Sequence, residues 1–128
     1  MINMATVDGY MNLFPRDMPG GTFTPHPLTV VYPTGELARL HGDRRAPMRS
    51  VAFDVEPEES FGVYRAVDPN NRQAGMELAG TFIDYADAYD FLAGSTPSGY
   101  RAEIKILTPG ADRPAPISDR LRLVERTW

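Results

Sequence analysis

Six prolines and glycines between positions 15 and 27 (Pro15, Pro19, Gly20, Gly21, Pro25 and Pro27) constrain this chain more than any other feature. Proline fixes φ and removes a backbone donor, and glycine leaves the backbone free, so no regular element is expected to run through them. The same stretch is apolar. Four of the six methionines (Met1, Met4, Met11, Met18) fall in residues 1–27, with Tyr10, Leu13, Phe14 and Phe23. No helical or strand period organises these side chains. Residues 1–27 are therefore read as an extended, irregular N-terminal arm. An apolar arm of this kind is expected to dock on its own core, on another copy, or on a partner.

The remaining composition sets bounds. A chain of 128 residues is one domain with a modest core. Twelve Pro and eleven Gly imply many turns and loops rather than long helices. A net charge of −4 weighs against a general nucleic-acid binder. The lack of Cys removes disulfides, thiolate metal sites and a Cys nucleophile, and fits an intracellular protein or a particle assembled inside a cell. No stretch has the form of a secretion signal, and none approaches the ~20 apolar residues of a membrane span.

Residues 28–108 read as an α+β core. Leu28–Tyr32 is a β-branched run expected to be a strand. Residues 36–41 fit either a returning strand or one helical turn. Residues 48–55, 61–67 and 76–83 alternate and are expected to form an antiparallel meander, with Gly80 marking a bulge. Asp84 is the expected N-cap of a helix whose buried stripe is Tyr85, Ala88, Tyr89 and Leu92, with Gly94 as its stop. Residues 100–107 read as a further strand. Residues 109–116 form a proline-rich connector, and 117–128 fit strand or helix, with strand preferred. The fold expected is an antiparallel sheet of about five strands with one helix packed on one face.

Chemistry-bearing patterns are sparse. His26 lies between two prolines, and His41 lies in Arg39-Leu-His41-Gly-Asp-Arg-Arg45; neither accompanies a nucleophile elbow. No ligand pair has metal spacing, and no glycine-rich loop precedes a helix as phosphate binding requires. The turn Asp54, Glu56, Glu58, Glu59 lacks the glycine of a calcium loop. No catalytic residue, metal or cofactor is expected. The most suggestive cluster is basic: Arg39, His41, Arg44, Arg45 and Arg49 on an acidic protein.

These readings point to a non-enzymatic structural or assembly protein, a component of a virion or other multi-subunit complex. Its partners are expected to be proteins, in a homo-oligomer or larger assembly, rather than nucleic acid or membrane. The residues expected to make those contacts are Tyr10, Leu13, Phe14, Phe23, Arg39, Arg44, Arg45, Arg49 and Trp128, because aromatic and Arg side chains dominate interface anchors. The alternative is a small inhibitor that blocks a host enzyme or nucleoprotein through its acidic surfaces.

Overall fold

A computed structural model of the chain describes residues 4–42, 46–95 and 101–124. In chain order its elements are β1 (Ala5–Asn12), α1 (Gly35–His41), β2 (Met48–Val55), β3 (Ser60–Ala66), β4 (Met76–Phe82), α2 (Tyr85–Ser95), β5 (Ala102–Leu107), β6 (Ala115–Pro116) and β7 (Arg122–Leu123). Single 3-10 turns cover Pro15–Asp17, Pro19–Gly21, Arg72–Ala74 and Ile117–Asp119. The fold is mixed α and β, as expected. Among the described residues, however, the strands form two antiparallel sheets, of three and four strands, with two helices. The chain divides into two compact units, residues 1–57 with 117–128, and residues 58–116.

The first unit carries the sheet β1-β2-β7. Here the expectation of an irregular arm fails for residues 5–12, which pair with β2 from Ala5↔Val55 to Asn12↔Met48. The physical reason is Gly9, a residue that weakens an isolated strand but is needed at this position. A Cβ there would lie 2.5 Å from Val31 Cγ1 and 3.1 Å from the Tyr32 carbonyl oxygen. The chain crosses β1 at this point, with Tyr10 and Tyr32 exchanging backbone hydrogen bonds of 2.9 and 2.7 Å. Residues 28–32 are thus not the expected strand. Only Tyr32 makes a bridge, because the run meets β1 at one point and then turns into α1.

Helix α1 settles the ambiguity over 36–41. The Thr34 hydroxyl accepts from the Leu37 N–H at 3.3 Å, capping the first turn, and Glu36 and Arg39 suit the two ends of the helix dipole. The helix packs on β1 and β2 and buries Ala38. Met11, Val31, Val51, Ala52, Phe53, Val55 and Ile117 are the other main buried apolar residues of this unit.

The second unit carries the sheet β4-β3-β5-β6, with α2 packed on β3, β4 and β5. The expected meander is corrected in its first link. Strand β2 pairs with β1 and β7, while β3 pairs with β4 and β5. The acidic stretch after β2 carries the chain into a separate sheet instead of a hairpin. The register of β3 against β4 slips between Val63↔Gly80 and Tyr64↔Leu78, leaving Ala79 as the extra residue beside the glycine that signalled a bulge. Tyr85, Ala88 and Tyr89 are buried, and Tyr85 meets Phe61 edge-on at 5.5 Å. Pro116 sits in the edge strand β6, where the missing N–H is tolerated.

Candidate protein-binding site

The loop between β1 and α1 is organised by one buried carboxylate. Asp17 is fully buried. Its Oδ2 accepts from the Phe14 N–H at 3.0 Å, and its Oδ1 accepts from the His26 N–H at 2.9 Å and the Thr29 hydroxyl at 3.1 Å. Its own carbonyl accepts from the Thr24 N–H at 2.8 Å. Three segments of a proline-broken loop are thereby tied to one residue, which stands in for the regular hydrogen bonding that the prolines forbid.

The fixed loop and the end of α1 enclose a cleft of about 190 Å³ lined by Asn12, Phe14, Arg16, Leu28, Thr29, Val30, Tyr32 and His41. His41, in the last turn of α1, stacks on the Tyr32 ring, with centroids 5.4 Å apart. Arg16 extends over the Phe14 ring, its guanidinium carbon 5.3 Å from the centroid. No carboxylate pairs with Arg16 among the described residues. Burial pushes the Tyr32 phenol above its ordinary value. Asn12 Nδ2 donates to the Ala38 carbonyl at 2.9 Å, locking the cleft floor to the helix. Gly42 is required beside it, because a Cβ there would approach Asn12 Oδ1 to 2.8 Å.

The rim is apolar. Leu28 is 64% exposed and Val30 44% exposed, on a segment tied to Asp17 through the His26 N–H and the Thr29 hydroxyl. The combination of a guanidinium and an imidazole with aromatic walls and an aliphatic rim suits a carboxylate attached to an apolar group. The Thr29 hydroxyl is engaged by Asp17, so the cleft does not present it as a nucleophile. Among the described residues, no three His, Cys, Asp or Glu side chains cluster to hold a metal ion, and no helix is long and apolar enough to cross a membrane.

Of the residues expected to contact partners, Phe14 lines the cleft. Tyr10 is half-buried in β1, Leu13 donates its N–H to the Pro47 carbonyl at 2.8 Å, and Phe23 is half-buried in the loop. Arg39 on α1 and Arg49 on β2 are exposed, Arg49 lying opposite Met11 in the sheet. Arg44, Arg45 and Trp128 lie outside the described residues. The acidic turn is partly engaged internally. Asp54 accepts from the Thr6 hydroxyl at 2.6 Å and pairs with Arg122 at 2.9 Å, while Glu59 is buried and accepts from Thr108.

Sequence reasoning passed over Asp17, Arg16, Asn12 and the rim residues Leu28 and Val30. For Asp17 a signal existed: Phe14-Pro-Arg-Asp17 places Pro first and an acid third in a helical turn, as in a capping box. Arg16 and Val30 carry no local signature, since a cleft made by chain crossing leaves none. A search of family models, curated proteins and solved structures finds no match to this chain.

Proposed function

We propose that this chain is a non-enzymatic assembly protein that binds protein partners through the cleft face of its first unit. The observation that carries the reading is the pair Leu28 and Val30, held outward on a loop immobilised by a buried carboxylate. An exposed aliphatic rim around a cleft with cationic and aromatic walls has the make-up of an interface anchor site. At about 190 Å³ the cleft is smaller than the usual small-molecule pocket and suits a single side chain of a partner.

The test is quantitative cross-linking and light scattering on the full chain, alone and after incubation with extract of its native host. The Leu28→Asp/Val30→Asp variant is run in parallel. The reading expects complexes that form with the wild type and disappear with the variant, while circular dichroism and melting temperature remain unchanged. Identical complexes with both proteins would reject this face as the binding surface.

A further inference from the structure

We infer that the occupant of the cleft is a second copy of this chain, through the corner Ile83–Asp84 between β4 and α2. This rests on the protein-binding reading of the cleft and adds the identity of the partner. Ile83 is 84% exposed, the highest value among the large apolar residues described as exposed. It occupies a two-residue bend, so its side chain stands at a corner and not on a sheet face.

Asp84 supplies the second observation. Its place before α2 predicts an N-cap, in which the carboxylate accepts from the first-turn N–H groups. Its backbone carbonyl does accept from the Ala88 N–H at 3.2 Å, but among the described residues its carboxylate receives no hydrogen bond and makes no ion pair. The corner therefore presents an aliphatic side chain and an unengaged carboxylate on consecutive residues.

The cleft presents the complement. Arg16 is exposed and lacks a carboxylate partner, His41 stands on the same cleft, and Leu28 and Val30 form an apolar rim. Isoleucine against the rim and aspartate on Arg16 would satisfy both halves, the guanidinium binding the carboxylate through paired N–H groups. Cleft and corner carry different residues, so two copies can exchange both contacts about a two-fold axis or pass them on to a third copy.

The experiment is sedimentation velocity on the full chain across a concentration series, with Arg16→Glu, Asp84→Arg and the double variant Arg16→Glu/Asp84→Arg. Each single variant should weaken self-association by about tenfold or more, because a like-charge pair replaces an attractive one. The double variant restores the pairing with reversed charges and should return to near the wild-type constant. An equimolar mixture of the two single variants should also associate, since one contact in the mixture is native. A wild type that stays monomeric throughout, or single variants that associate like the wild type, would overturn the inference. A monomeric wild type whose complexes with host protein are still lost on Leu28→Asp/Val30→Asp would overturn only the self-pairing and leave the binding face in place.

Discussion

The imidazole of His41 lies parallel to the ring of Tyr32, with centroids 5.4 Å apart and planes inclined by 5°. This stack joins the last turn of α1 to the residue that bridges Tyr10 on β1, so it braces the cleft wall from two elements at once.

Replacing His41 with Ala should remove that brace and open Tyr32 to water. A loss of about 1 kcal/mol is expected from the aromatic pair. The Tyr32 phenol should fall back toward its ordinary value, because desolvation is what raises it. In the wild type the raised value means the neutral phenol is favoured by folding. That contribution is whole below the unfolded pKa and is lost as pH rises through the folded one. Phenolate absorbance titrations should show one fewer late-ionising tyrosine in His41→Ala and in Tyr32→Phe than in the wild type.

Asp17→Ala should be among the most damaging single changes in the first unit. It strands the Phe14 and His26 N–H groups and the Thr29 hydroxyl, and hydrogen bonds to a charged acceptor are the stronger kind. A cost of about 3 kcal/mol is expected in urea denaturation. Thr29→Val, which removes only one of the three donors, should cost distinctly less.

Gly9→Ala should push Val31 away from β1, because the new Cβ would stand 2.5 Å from Val31 Cγ1. A loss of about 1–3 kcal/mol is expected for overpacking at this crossing. Adding Val31→Ala should recover part of it, and a double-mutant cycle in urea reads the coupling directly.

The Asp54 carboxyl is held below its ordinary value, first by the Thr6 hydroxyl and then by Arg122. The contribution of this group to stability is present above the unfolded pKa and is lost as pH falls through the folded one. Thr6→Val and Arg122→Met should each move the titration of the Asp54 side-chain carbon upward in NMR. Equal titration in all three proteins would show that the pairing does not hold in solution.

The elements most easily read from the sequence are those whose pattern is local. Val51, Phe53 and Val55 declared β2, the Tyr85–Ala88–Tyr89 spacing declared α2, and Gly80 marked the bulge to within one residue. The pairing of those strands was not legible, because β2 finds its neighbours far away in the chain on both sides, as in Val51 with Gly9 and with Leu123. Strand β1 was hidden by Gly9, whose role depends on a chain segment that crosses it from residue 31. The cleft was hidden for the same reason. Only Phe14 among its walls belonged to the expected contacts, and His41 was noticed for its charge when its ring is what packs.

The four-stranded unit is one uninterrupted stretch, residues 58–116, while the three-stranded unit is assembled from both sides of it. During synthesis this fixes an order of completion. Every pairing partner in the four-stranded sheet has left the ribosome once residue 116 emerges, whereas β2 must keep one edge vacant until Arg122 and Leu123 follow. A truncation near residue 120 would thus yield a chain with its four-stranded sheet whole and its three-stranded sheet a strand short, a species prone to accept any other strand offered to that edge.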